Sequence, residues 1–165
     1  MKAIQINITG FNALPSSLLC AYDDDLDFLI ISKESENFNE NKIKNDYIFI
    51  TNSPRTEERD FLFKTDYFND AISAYYQRKN NKTNDNKSRL HITEKALRAN
   101  PENVIENDGF DDKGKPKYRI QENITNIQVA TLVACYFAEK FQLNNNVVDY
   151  ANDCDNAELF AIHTI

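Results

Sequence analysis

The segment that most constrains the fold is the apolar run NITNIQVATLVACYFAEKFQL, residues 123–143. On a helix drawn through it, apolar side chains occupy most faces, and the few polar side chains share one stripe. The run is too short and too polar at its edges to span a bilayer. Because a helix that is apolar nearly all round needs partners on several sides, we predict that residues 128–141 form a buried central helix packed on a sheet.

Three segments nearer the amino end carry the patterns of β-strands. Residues 2–9, KAIQINIT, alternate cleanly and place three isoleucines on one face. Residues 26–32, LDFLIIS, are almost continuously apolar, which favours a central position in a sheet, and residues 46–51, DYIFIT, form the third segment. Between the first two, residues 10–19 combine a proline with two serines, so we predict a turn and a short helical piece there.

Helix signals follow the third strand. Ser53, which is followed by a proline, suits the N-cap of a helix that ends near residue 79, with a break near residue 65. Residues 93–100 have the pattern of a short capped helix. The sequence Asp-Asp-Lys-Gly at residues 111–114 predicts a hairpin.

The order of these elements, three strands followed mainly by helices, indicates an α+β fold rather than a repeat of βαβ units. We predict a small sheet of three or more strands, covered by the long central helix and by a carboxyl-terminal helix within residues 147–162, with one hairpin. The 165 residues fit a single domain, residues 1–165.

Cysteine usage and the amino-terminal sequence bear on the compartment. Cys20, Cys135 and Cys154 are odd in number and widely spaced, and none of them forms a zinc-binding or disulfide pattern, so we expect buried, reduced thiols. No charged segment followed by an apolar stretch opens the sequence, so we expect no secretion signal. Both observations predict a cytoplasmic location.

The net charge of −7 is unevenly distributed along the chain. Residues 21–46 hold eight acidic and three basic side chains, whereas residues 78–98 hold seven basic and two acidic ones. Residues 144–165 hold four acidic side chains and neither lysine nor arginine. Such a protein should be repelled by nucleic acid over most of its surface and attracted to basic partners.

The densest acidic stretch, AYDDDLDFLII at residues 21–31, leaves three interpretations open. It forms a solvated turn that leads into a buried strand, or a surface on which carboxylates imitate phosphates, or a metal site in which Asp25 and Asp27 bracket a divalent cation. The metal site is the least favoured, because phosphotransferases that use an Asp-x-Asp pair place it after the strand, not before it. The carboxylates that we expect at a partner-binding surface are Asp23, Asp24, Asp25, Asp27, Glu34 and Glu36, with Asp149, Asp153 and Asp155 as a second group.

The basic stretch predicts a second kind of surface. Next to Tyr75 and Tyr76, basic side chains would contact phosphates while the rings stack on bases; the competing interpretation is a solvated, mobile loop. The basic residues are Arg78, Lys79, Lys82, Lys87 and Arg89. No pattern for phosphate, nucleotide or zinc binding is present, so we predict no catalytic residue, no metal and no cofactor.

The stretch SRLHITEKALRAN, followed by ITNIQVATLVACYFAEKFQL, resembles the non-nuclease amino-terminal region of prophage exonuclease VIII, the RecE type. The resemblance rests on Ser88, Arg89, His91, Ile92 and Thr93 and on the Val-Ala-Thr-x-Val-Ala sequence at residues 129–134. The nuclease residues of that family lie in a different region, so no catalytic role carries over. The resemblance implies a prophage or mobile-element origin and a setting among DNA-processing enzymes.

These observations favour a non-enzymatic, cytoplasmic phage or mobile-element protein that binds a partner through an acidic face. The expected partner is the basic surface of a nucleic-acid-handling complex, such as a host nuclease or immune complex that the protein inhibits by nucleic-acid mimicry, as an anti-CRISPR or other anti-defence protein would. One alternative is an accessory domain that contacts nucleic acid through residues 78–91. Another is a divalent-metal enzyme that uses Asp25 and Asp27.

Overall fold

The structure is a computed structural model that describes residues 1–35, 38 and 40–146. Within them the chain forms eight β-strands and two α-helices, joined by turns and short 3-10 segments. The strands are β1 (Lys2–Ile8), β2 (Ser16–Asp23), β3 (Phe28–Glu34), β4 (Ile48–Thr51), β5 (Phe61–Leu62), β6 (Leu90–Ile92), β7 (Ile105–Phe110) and β8 (Pro116–Ile120), and the helices are α1 (Phe68–Asn80) and α2 (Asn126–Asn146).

Six of these strands form the main sheet, in the order β5-β4-β1-β2-β3-β6. β2 pairs antiparallel with β1 and β3, and the other neighbours pair parallel, so five strands run one way and β2 runs the other. β7 and β8 form a separate antiparallel pair. The predicted α+β fold is confirmed, with a larger sheet than the three strands that the sequence indicated.

One face of the main sheet is apolar and is covered by the helices. The three isoleucines that alternate along β1, Ile4, Ile6 and Ile8, are fully buried. α2 contacts β1, β2 and β3 and packs along α1. Every residue of α2 from position 129 to position 138 is buried, because the sheet lies on one side of the helix and α1 on another. The predicted central buried helix is therefore confirmed.

The segments predicted as strands at residues 2–9, 26–32 and 46–51 correspond to β1, β3 and β4. The closing helix predicted within residues 147–162 lies outside the described residues. In the described part of the chain, none of the helices combines the length and the apolar character that a membrane span requires.

Residues 10–19, predicted as a turn and a short helical piece, contain the turn but lead into a strand. β2 pairs with β1 along its whole length, from Ser16 opposite Ile8 to Tyr22 opposite Lys2. Its inward-facing side chains are buried beneath the helices. Pairing and burial therefore outweigh the local helix-start signal of the proline and the serines.

The helix predicted from Ser53 begins only at Phe68. The chain first runs in turns along the sheet, where Asp60 accepts a hydrogen bond from the backbone N–H of Phe49 at 2.8 Å. β5 follows, so Asp60 is held beside the sheet rather than in a helix. The helical segment begins near the break predicted at residue 65, with a 3-10 turn, Thr65–Tyr67, that leads into α1.

Two smaller elements lie close to their predicted positions. The hairpin predicted around Gly114 is confirmed, and this glycine has φ +78° in the turn between β7 and β8. The short helix predicted from Thr93 consists of 3-10 turns, Glu94–Ala99. Thr93 donates its hydroxyl to the carbonyl of Ser32, which ties this segment to β3.

The amino end of α2 is joined to the loop between β1 and β2 by Asn126, whose side chain is fully buried. Its Oδ1 accepts a hydrogen bond from the N–H of Phe11 at 2.9 Å, and its Nδ2 donates to the carbonyl of Leu14 at 2.8 Å. The N–H of Asn126 donates to Asn12 Oδ1 at 2.9 Å. These hydrogen bonds pair partly buried backbone groups and fix where the central helix begins.

Asn126→Ala should lower the free energy of unfolding by about 2–4 kcal/mol, because backbone groups of the loop lose buried partners. Asn123→Ala, at an exposed position just before the helix, should cost less than about 0.5 kcal/mol. Urea unfolding followed by circular dichroism measures both variants. Equal, small effects would show that the loop does not depend on Asn126.

Candidate functional site

The acidic stretch forms the connection between β2 and β3, at the sheet edge where β1 and β3 begin. β2 ends at Asp23 and β3 begins at Phe28, so residues 24–27 make the turn. Asp27 has φ +51°, a left-handed conformation that aspartate tolerates because its short side chain forms local hydrogen bonds. Residues 23–27 are termed the acidic tip below.

The outward side of the acidic tip displays carboxylates around one apolar side chain. Asp23 Oδ1 accepts hydrogen bonds from the N–H groups of Asp25 at 3.0 Å and Leu26 at 3.1 Å, which shapes the turn. Asp24 lies 3.9 Å from the ammonium of Lys2, a partly exposed pair that contributes little in water. Asp25 is exposed, and Leu26 is 66% exposed.

Asp27 points the other way, into the molecule. Its Oδ1 accepts a hydrogen bond from Arg78 Nη2 at 2.7 Å and lies 2.8 Å from the Tyr22 hydroxyl. Arg89 Nη1 donates to the carbonyls of Leu26 and Asp27 at 3.0 and 3.2 Å. Groups from α1, β2 and the segment before β6 therefore hold the base of the acidic tip.

Arg78 is the buried member of this cluster, with a side chain only 1% exposed. Its Nη2 also lies 3.1 Å from Glu139 Oε1 on α2, and its guanidinium lies 5.3 Å from the centre of the Tyr22 ring, within cation–π distance. Nε and Nη1 are buried without a hydrogen-bond partner among the described residues. A cation desolvated to this extent is strongly destabilising if it is left without a carboxylate partner.

Burial also sets the protonation states around Arg78. Burial raises the pKa of Glu139 more than the nearby Arg78 lowers it. The pKa of Tyr22 is raised by burial and by the hydrogen bond to Asp27, so the hydroxyl keeps its proton at neutral pH. Burial would lower the pKa of Arg78, but Glu139 and Asp27 outweigh it and raise that pKa. The guanidinium therefore stays charged.

Glu34 does not lie beside the predicted aspartates, which corrects the expectation of one acidic face. It ends β3 at the far edge of the sheet, where its Oε2 lies 2.6 Å from Arg98 Nη2. The extended strand between them separates Glu34 from the acidic tip by about 20 Å. Glu36, Asp149, Asp153 and Asp155 lie outside the described residues. The described carboxylates thus form a tip rather than a continuous face.

The basic stretch is divided among different roles, which corrects its interpretation as one nucleic-acid surface. Arg78 is buried, Lys79 pairs with a glutamate of the segment before β7 at 2.7 Å, and Arg89 holds the tip carbonyls. Lys82 and Lys87 are exposed on a tight turn that backbone hydrogen bonds close. Burial of the guanidinium leaves Arg78 unable to reach a phosphate.

The two tyrosines beside the basic stretch are also occupied. Tyr75 is 2% exposed, within the core. Tyr76 packs against Tyr118 of β8 with a centroid distance of 5.4 Å. Neither ring is presented for stacking on a base, as the predicted nucleic-acid surface would require.

The metal interpretation required Asp25 and Asp27 to point the same way along a strand. They lie on a turn instead, with Asp25 exposed and Asp27 bound to Arg78. Their carboxylates therefore do not bracket a cation. Across residues 1–35, 38 and 40–146, no group of three or more histidine, cysteine, aspartate and glutamate side chains is placed to hold a metal ion.

The sequence contains a signal for the buried position of Arg78 that its basic neighbours obscure. The buried residues of α1 are Ala71, Ile72, Ala74, Tyr75 and Arg78. Arg78 thus takes the next position on an apolar helical stripe. A charged residue at such a position indicates a buried charge with carboxylate partners.

Comparison with known protein families, characterised proteins and solved structures gives no match for this chain. The residues that resemble exonuclease VIII lie in and around β6 and in α2. The resemblance stays a prediction, and the function is inferred from the site itself.

Asp27→Asn should lower the free energy of unfolding by about 2–3 kcal/mol, because the buried guanidinium of Arg78 loses one of its two countercharges. Glu139→Gln should leave the stability unchanged or slightly higher at neutral pH, since burial disfavours the ionised carboxylate of Glu139. Urea unfolding of both variants and the wild type measures the difference. A larger loss for Glu139→Gln than for Asp27→Asn would contradict this account of the cluster.

The pH dependence of the Glu139→Gln variant has a definite sign. A carboxyl whose pKa is raised in the folded state opposes folding as pH rises through that pKa. The advantage of Glu139→Gln over the wild type should therefore be present at neutral pH, shrink as pH falls through the raised pKa of Glu139, and be lost below the ordinary glutamate value of 4.5. Unfolding curves recorded at about pH 4 and about pH 7 test this sign.

Proposed function

We propose that this protein binds a basic surface of another protein through the acidic tip. The observation that carries the proposal is the buried ion pair of Arg78 and Asp27, which fixes the base of the tip while Asp24, Asp25 and Leu26 lie on its outer side. The side chains on the outer side are partly or largely exposed, so they contribute little to the core. The base that carries them is held by the ion pair. This combination is typical of a preformed docking element.

Fixing the acidic tip before binding reduces the conformational entropy that is lost on association. Asp23 accepts two N–H groups of the turn, and Arg89 donates to two of its carbonyls. The turn residues therefore have few alternative conformations. A partner would meet the carboxylates already in place.

The carboxylates determine the chemistry of the partner. Arginine and lysine side chains that bind phosphate oxygens bind carboxylates with similar geometry, so Asp24 and Asp25 would occupy a phosphate-binding position on the partner. Because the tip is short, it would fill one such position rather than follow a groove. Leu26 would add an apolar contact at the centre of the charged group.

We further propose that the partner is a nucleic-acid-handling complex, such as a host nuclease or immune complex, which this protein would inhibit by nucleic-acid mimicry. The acidic tip and the resemblance to a prophage protein region support a phage or mobile-element setting. Cys20 and Cys135 are buried free thiols, which suit a reducing, cytoplasmic compartment.

Asp24→Asn/Asp25→Asn should slow association with a partner captured from host lysate by about tenfold, because the carboxylates steer the encounter. The rate for the wild type should also fall steeply as salt rises. The matched control Asp108→Asn/Asp112→Asn removes the same charge from exposed positions of the β7–β8 hairpin and should change the rate by less than about twofold. Surface plasmon resonance over a range of ionic strengths measures each rate.

Equal slowing by the two double variants would show that net charge alone drives association, and no change in either would oppose the proposal. Lys82→Glu/Lys87→Glu tests the alternative of an accessory domain on nucleic acid. That variant should keep or improve binding to the protein partner. If it instead abolishes binding to labelled DNA or RNA, and the tip variant does not affect partner binding, the accessory-domain alternative replaces this proposal.

A further inference from the structure

At the sheet edge opposite the acidic tip, β1, β4 and β5 end side by side. These three strands are parallel, so the loops that follow them leave from the same edge. The loop after β1 leads toward β2, whereas the loop after β4 leads toward β5 on the other side. The two connections therefore diverge at this edge.

A cavity of about 260 Å³ opens at this edge. Its walls include three phenylalanine rings: Phe11 lies edge-on to Phe68 with a centroid distance of 5.4 Å, and Phe63 lies edge-on to Phe68 at 5.3 Å. Phe63 is buried, and Phe11 and Phe68 are half-buried. A space of this size is below the range of drug-sized ligand sites and suits a single ring or one branched aliphatic group.

One wall of the cavity is held rigidly by Asn52, at the end of β4. Its Oδ1 accepts a hydrogen bond from the N–H of Thr9 at 3.1 Å, and its Nδ2 donates to the carbonyl of Thr9 at 2.8 Å. This pair of bonds ties the loop after β1 to the loop after β4. The cavity beside the rings is therefore preformed, which lowers the cost of binding a ligand.

The charge at the mouth of the cavity selects the kind of ligand. Among the described residues that line it, Lys64 alone carries a charge, and both Lys64 and Thr65 are exposed. Aromatic walls can bind a cation, but the ammonium of Lys64 would repel one. α1 begins at Phe68, and the positive end of its dipole also favours a negative group.

We propose that this cavity binds a small monocarboxylate whose body is one aromatic ring or one branched aliphatic chain. The body would fill the cavity and pack against the phenylalanine rings that line it, while the carboxylate pairs with Lys64 and accepts a hydrogen bond from the Thr65 hydroxyl. The cavity shares no residue with the acidic tip. This second site is independent of the acidic tip, so a failure of one proposal would not affect the other.

Phenylacetate, phenylacetamide and phenethylamine test the proposal, because they share one ring and differ in the charge of the end group. Titrated into the full chain at low ionic strength, phenylacetate should bind with a Kd of about 1 mM or lower. Phenylacetamide should bind at least about fivefold more weakly, and phenethylamine more weakly still. Backbone amide shifts should change at residues 11, 52–54 and 62–68.

Lys64→Gln should reduce the affinity for phenylacetate to that for phenylacetamide and leave the affinity for phenylacetamide unchanged. The matched control Lys113→Gln, at an exposed position in the turn between β7 and β8, should alter neither. Both positions are exposed, so both variants should fold. Failure of phenylacetate to saturate the protein, equal affinity for the three compounds, or equal effects of the two variants would overturn the proposal.

Discussion

The guanidinium of Arg78 lies between α1, α2 and the hairpin of β2 and β3, with Asp27 at 2.7 Å and Glu139 at 3.1 Å from its Nη2. A cation buried to this extent is tolerated only with a carboxylate partner in place, and Asp27 of the hairpin supplies it, so α1 and the hairpin constrain one another. This constraint acts at the base of a turn that holds four aspartates in five positions.

The direction of the strands places the two candidate sites at opposite edges of the main sheet. The acidic tip lies where β1 and β3 begin, and the aromatic cavity lies where β1, β4 and β5 end. The tip has negative charge and an exposed leucine, whereas the cavity has apolar walls and one lysine at its mouth. The two proposed sites therefore differ in the ligand that each would bind, a basic surface of a macromolecule at the tip and a small anion in the cavity.

Elements whose own hydrophobic pattern identifies them could be predicted from the sequence. Examples are the alternating residues 2–9 and the apolar run at residues 123–143. β2 could not, because its conformation depends on pairing with β1 and on burial beneath the helices. The aspartates predicted a turn but not which of them faces inward. Asp27 lies 51 positions before Arg78 in the chain, and no local pattern links them, so their pairing becomes visible only when α1 is placed on the sheet.

The central claim is that the ion pair of Arg78 and Asp27 holds the acidic tip in one conformation, and backbone NMR order parameters test it most directly. In the wild type, residues 24–27 should have order parameters of about 0.8 or above, close to those of β1. In the Asp27→Asn variant they should fall below about 0.6, while those of β1 stay unchanged. A tip that is already flexible in the wild type, or that remains equally rigid in the variant, would contradict the account.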